Sequence, residues 1–121
     1  MLLDTNVVVD LLRQRTAAED FFRHLRRRPK TSVICAMELF AGARSRAEEG
    51  LLEKFLELAQ PLPVTVPIAR RAGEFLRHYR DSHGVGDPDA LIAATAEHHG
   101  LALATRNVKH FPMFKGLKPV Y

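Results

Sequence analysis

Three acidic residues far apart in the chain, Asp4, Glu38 and Asp89, stand where they could act as one group. Asp4 ends a short apolar run at the N-terminus, Glu38 follows a second such run, and Asp89 opens a late helix in Asp87-Pro88-Asp89. Each alone has a plain account, since Asp caps helices and an acid in a first helical turn favours the positive end of the dipole. Their joint placement says more. Carboxylates that converge in a cleft repel one another and are held cheaply only beside a cation, of which a divalent metal is the obvious choice.

The neighbouring residues sort around this trio. Asp87 reads as the N-cap of the late helix, with Asp89 inside it. Asp10, carried away from Asp4 along a helix, reads as a solvated face or a helix-side contact and not as a metal ligand. Thr105, Arg106 and Asn107 follow a late apolar run and can face the same cleft, with Asn107 offering a neutral oxygen ligand or a bond to a metal-bound water, or else a turn. Histidine spacings match no zinc helix: His78 and His83 are five apart, and His98 and His99 are adjacent. Cys35, the single cysteine, lies among apolar neighbours as an inert core thiol. It leaves no intrachain disulfide or thiolate zinc cluster and fits a reducing compartment.

The elements that must position these residues alternate. Met1–Asp4 reads as a strand, and Ala17, Ala18, Phe21, Phe22 and Leu25 form a helical stripe ended by Pro29. Thr31–Cys35, with Ser32-Val33-Ile34, is a second strand followed by a helix over 36–43 that carries Glu38 in its first turn. Leu51, Leu52, Phe55, Leu56 and Ala59 mark a helix stopped by Pro61 and Pro63, and Val64-Thr65-Val66 is a third strand. Pro67 opens a helix, and another runs from Asp87 to about Gly100. Leu101–Ala104 is a fourth strand, 105–111 a polar loop, and Lys118-Pro119-Val120 at most an edge strand. Short strands alternating with crossover helices indicate an α/β fold, a small parallel β-sheet flanked by helices on both faces. In such sheets the site lies beyond the carboxyl ends of the strands.

Composition sets the outer bounds. A chain of 121 residues with 46% hydrophobic and 26% charged residues makes one ordinary globular domain over 1–121. No apolar run approaches the roughly 20 residues of a membrane span. The N-terminus lacks the basic region of a signal peptide, so a cytoplasmic protein is expected. The net charge is +4, with a basic run at Arg23, Arg26, Arg27, Arg28 and Lys30 that suits either a polyanionic partner or the closing turn of a helix. A phosphate loop of the GxxxxGK[ST] type and a GxGxxG turn are both missing, which sets nucleotide-binding readings aside.

Four segments together resemble a known family. LLDTNVVVDLL at the start, Cys35-Ala36-Met37-Glu38-Leu39-Phe40-Ala41-Gly42, Asp89-Ala90-Leu91-Ile92-Ala93-Ala94-Thr95-Ala96 and Ala104-Thr105-Arg106-Asn107-Val108-Lys109-His110-Phe111 look like a PIN domain of the VapC toxin type. The resemblance spans nearly the whole chain. It implies a PIN-like α/β/α sandwich and an endoribonuclease dependent on Mg²⁺ or Mn²⁺, the toxin of a type II toxin–antitoxin pair. Asp4, Glu38 and Asp89 fall on the family's acidic metal site. A fourth acid common in the family is missing: Asn107 occupies the first candidate position, and His110 stands where some relatives carry a later acid.

The chemistry so implied is hydrolysis of RNA by metal-activated water. Thr5 and Asn6 would orient Asp4 or a metal-bound water, Arg106 would contact the scissile phosphate, and Arg26–Arg28 would hold RNA farther out. The expected partner is a VapB-like antitoxin whose C-terminal segment covers the cleft. A homodimer is expected, with a heterotetramer or larger assembly when the antitoxin joins. The alternative is a catalytically silent PIN module that binds RNA or antitoxin.

Overall fold

Met1 to Asp4 form the middle of the molecule because three other segments hydrogen-bond to them or to their neighbour. The computed structural model describes all 121 residues. Its elements are β1 (Leu2–Leu3), α1 (Thr5–Leu12), α2 (Thr16–Arg23), α3 (Val33–Ala41), α4 (Arg46–Ala59), α5 (Val66–His83), α6 (Asp87–His98) and β2 (Leu103–Ala104), with a short 3₁₀ turn at Val108–His110. β1 pairs with β2 in parallel, Leu2 opposite Leu103 and Leu3 opposite Ala104. The Leu2 and Asp4 amides donate to Ala102 and Ala104 on one side and the Leu3 amide to Lys30 on the other, while the Lys30 amide donates back to Met1. A further parallel bridge joins Ser32 to Leu62. Four segments thus lie side by side in the order 62, 30–32, 2–3, 103–104.

Adjacent residues of a strand point to opposite faces, and the core divides accordingly. Leu2 and Leu103 pack with Ile68, Ala72, Phe75, Ala90, Ile92 and Ala93 of α5 and α6. Leu3 and Ala104 pack with Val7, Val8, Cys35, Leu39 and Leu52 of α1, α3 and α4. The protein is therefore an α/β sandwich with a small parallel sheet covered by helices on both faces. No helix is long and apolar enough to cross a membrane.

Several boundaries differ from expectation. Ser32-Val33-Ile34 is not a strand: pairing ends at Ser32, whose hydroxyl accepts the Cys35 amide at 3.2 Å and starts α3 at Val33. A serine cap outweighs the β-branched pair behind it. The third strand is not Val64-Thr65-Val66 but the single residue Leu62, which donates to Thr31 and accepts from Val33. Pro61 and Pro63 flank it and lack the N–H to extend the ladder. Val66 instead begins α5. Lys118-Pro119-Val120 forms no strand, and its one tie is the Val120 amide to the Thr105 carbonyl at 3.1 Å.

Two helix ends also move. α2 ends at Arg23, well before Pro29, so Arg26–Arg28 do not close a helix. They precede the strand segment at Lys30 and so lie toward the amino ends of the strands, opposite the ends that carry Asp4 and α3. Asp87 is not the cap of α6: Gly86 holds that place, and the Asp87 carboxylate accepts from Arg80 at 2.9 Å.

Candidate active site

α1 begins directly after β1, which leaves Asp4 as its N-cap at the carboxyl end of the central strand. The buried Asp4 carboxylate accepts from the Thr5 amide at 2.8 Å through Oδ1 and from the Thr105 hydroxyl at 2.7 Å through Oδ2. Burial nevertheless pushes its pKa up, against both hydrogen bonds and the nearby His110. Asp4 is thus both the cap and the acid of the strand end.

Glu38 comes from α3. Because α3 starts at Val33, Glu38 is its sixth residue, beyond the first turn where the helix dipole would account for an acid. Its Oε1 accepts the Thr5 hydroxyl at 2.7 Å. Thr5 therefore binds two acids, Asp4 through its amide and Glu38 through its side chain.

Asp89, in the first turn of α6, completes the group. Its pKa is pushed up to about 6, first by burial and then by the charges of Asp4 and Glu38, with His110 opposing. His110 Nδ1 lies 3.2 Å from Asp89 Oδ2. Burial is the larger cause of the raised Asp89 value, and the charges of Asp4 and Glu38 act in the same direction.

The segment after β2 supports Asp4. Besides donating to Asp4, the Thr105 oxygen accepts the Asn107 amide at 2.9 Å and, at a long 3.5 Å, the Asn6 side-chain amide. Asn6 Oδ1 in turn accepts the Arg106 amide at 3.4 Å. Asn6 thus reaches Asp4 through Thr105. The Asn107 side chain is exposed on the same segment, and the Arg106 guanidinium turns to Asp10 instead of the acids.

No three His, Cys, Asp or Glu side chains stand close enough to enclose a metal ion unaided. The donor chemistry still suits Mg²⁺ or Mn²⁺, hard cations that prefer carboxylate oxygen. Mg²⁺ in particular keeps several waters and binds through one or two carboxylates plus substrate phosphate oxygens. A cation there would offset both the burial of the Asp89 charge and its repulsion by Asp4 and Glu38.

Asp10 is the main departure at the residue level. It is only 5% exposed, so the solvated-face alternative falls and the helix-side contact is what is found. Its carboxylate receives Arg106 at 2.7 Å, Arg15 at 3.2 Å and the Tyr121 hydroxyl at 2.9 Å. Nothing local in the sequence marks the Tyr121 contact. The Thr5–Glu38 bond was equally hidden, because it depends on how α3 crosses the start of α1. Beside Glu38 an apolar groove of about 230 Å³ opens between α1, α3 and α4, lined by Val9, Leu12, Leu39, Leu51 and Leu52.

Comparison with known proteins places the chain in a family. Residues 1–113 match the PIN domain family. The chain is 43% identical to Ribonuclease VapC10 of Mycobacterium tuberculosis over 124 aligned positions, covering 100% of this chain and 92% of that protein. It is 42% identical to Ribonuclease VapC19 of the same organism, covering 99% and 98%. A toxin–antitoxin complex from Klebsiella pneumoniae superposes with a TM-score of 0.83 at 31% identity, covering 99% of this chain and 97% of that one.

Proposed function

The chain belongs to the PIN domain family, as a member of its VapC type, and from that premise we propose that it is a divalent-metal-dependent endoribonuclease and the toxin of a toxin–antitoxin pair. What supports the reading is the placement of Asp4, Glu38 and Asp89 toward the carboxyl ends of the strands, with Thr5 bonded to the first two and with burial first, then the charges of Asp4 and Glu38, pushing the Asp89 carboxyl up. Carboxylates whose mutual repulsion is left standing are an expensive arrangement, and a cation site accounts for it.

Asp4, Glu38 and Asp89 would hold Mg²⁺ or Mn²⁺, with the exposed Asn107 as a neutral oxygen donor. When bound, the cation supplies Lewis-acid activation of a water and shields the phosphate charge. The protein's own part is orientation. Thr5 fixes Asp4 and Glu38 relative to each other, and Thr105 fixes the second oxygen of Asp4. No Ser, Cys or His nucleophile is needed, and Cys35 is buried with its thiol pushed up by burial.

A toxin needs restraint, and the groove beside Glu38 fits an apolar segment of an antitoxin that ends over the acids. A cationic side chain from that segment would take the place of the metal charge. Support comes from the structural relative in Klebsiella pneumoniae, itself a toxin–antitoxin complex. A homodimer, and a heterotetramer or larger with antitoxin, belong to the same reading.

Antitoxin-free protein should cut a mixed RNA pool in Mg²⁺ or Mn²⁺ and stop in EDTA. Folded protein that binds RNA but never cuts it, with either metal, would replace the enzyme by a silent binding module.

A further inference from the structure

Toward the end of α1, Asp10 gathers a second set of charged groups that the acidic trio does not use. Its Oδ2 takes both Arg106 Nη1 at 2.7 Å and the Tyr121 hydroxyl at 2.9 Å, and its Oδ1 faces Arg15 Nε at 3.2 Å. The carboxylate is nearly buried, whereas the Arg15 and Arg106 side chains are 57% and 43% exposed. Each arginine spends one nitrogen on Asp10, and the rest of each guanidinium has no partner in the chain. The Arg106 guanidinium also lies 5.8 Å from the centre of the Tyr121 ring. These groups, with Arg13 and Gln14, line an open depression of about 410 Å³.

Two guanidiniums there, Arg15 and Arg106, share one carboxylate that is already committed, and Arg13 adds a third positive charge to the lining. Arginine forks match phosphate oxygens, and forks held in advance lose less freedom on binding. The depression adjoins the acidic site by two routes. Arg106 follows Thr105, which bonds to Asp4. Asp10 lies six residues beyond Asp4 on the α1 segment, about 9 Å along the axis at helical rise.

We propose that Arg15 and Arg106, oriented by Asp10, form a subsite for a non-scissile phosphodiester of the RNA strand whose neighbouring linkage lies over Asp4, Glu38 and Asp89. The inference rests on the ribonuclease reading and adds to it where the strand runs. Asp10 is its positioning residue, and Tyr121 closes the far wall.

The test is binding of a labelled single-stranded RNA oligonucleotide in EDTA, followed by anisotropy over a range of salt. Wild type, Arg15→Gln, Arg15→Lys and the control Arg77→Gln on exposed α5 are compared, with circular dichroism to confirm folding. Arg15→Gln should weaken binding about fivefold and reduce the salt slope by about 0.7, the value for one phosphate of a single strand. Arg15→Lys should keep the slope and recover part of the affinity, and Arg77→Gln should match wild type. Equal loss in Arg15→Gln and Arg77→Gln would overturn the subsite in favour of diffuse charge. So would RNA binding indifferent to Arg15 while an acidic peptide depends on it. Cleavage in Mg²⁺ is read separately on wild type: Arg15-dependent binding without cleavage would refute the nuclease and leave the subsite standing.

Discussion

The Thr5 hydroxyl donates to Glu38 Oε1 at 2.7 Å while the Thr5 amide donates to Asp4 Oδ1 at 2.8 Å. One residue thereby sets the spacing of two acids that come from different elements. Hydrogen-bond partners behind a metal ligand typically contribute 10–100-fold in affinity or activity. Thr5→Val, which keeps the amide and the shape but loses the hydroxyl, should raise the Mg²⁺ concentration needed for half-maximal cleavage by about tenfold. Thr5→Ser should restore it. A Thr5→Val enzyme with the wild-type Mg²⁺ dependence would show that the bond has no part in the site.

The raised pKa of Asp89 carries a stability consequence with a definite sign. A carboxyl whose folded pKa is about 6 against an ordinary value of 3.8 destabilises the metal-free fold when ionised. That cost is full above about pH 6 and fades as pH falls toward 4. Asp89→Asn should therefore stabilise the protein in EDTA at pH 7.5 by on the order of 1–2 kcal/mol. Urea unfolding at pH 7.5 and pH 4 measures it, and a stability gain that did not shrink at the lower pH would contradict the assignment.

Neutralising Asp10, a buried acid paired with arginines, should act the other way. It answers two arginines and the Tyr121 hydroxyl, and the Val120 amide beside Tyr121 ties back to Thr105. Removing one partner of a buried pair is costly, though half-exposed arginines can turn to solvent and soften the loss. Asp10→Ala should lower stability by about 2 kcal/mol and loosen the C-terminal residues. Thermal melting checks the first and amide hydrogen exchange at Val120 the second.

Cys35 should be silent in the native state. It is fully buried beside Val7 and Leu39, and burial pushes its thiol up, so little reactive thiolate forms. A thiol reagent such as 5,5′-dithiobis(2-nitrobenzoate) should label it only as fast as the protein unfolds. Rapid labelling in native buffer would place it at an accessible surface.

The positions of Asp4 and Asp89 were legible because one follows the first strand and the other opens a helix, whereas Glu38 was expected in a first helical turn and lies instead at the sixth residue of α3. The layering was legible as well, since apolar runs alternate with one-faced helical stripes. What escaped were features decided by competition between neighbours. Ser32 caps α3 and shortens the second strand to Lys30–Ser32, although Val33 and Ile34 favour extension. Leu62 pairs between two prolines in a stretch that reads as a helix stop. Gly86 takes the capping place expected of Asp87, which Arg80 draws away. The partners of Asp10 come from positions 15, 106 and 121, and only the folded chain brings them to one carboxylate.

The most direct test of the central account uses Glu38→Gln, because Glu38 is part-exposed, caps nothing and keeps its shape as the amide. Cleavage of RNA by wild type and by this variant is followed in Mg²⁺ and in EDTA, with folding verified for both. The account predicts Mg²⁺-dependent cutting by wild type, none in EDTA, and a loss of about a hundredfold or more in Glu38→Gln. Mg²⁺-dependent cleavage at the wild-type rate by folded Glu38→Gln would contradict it.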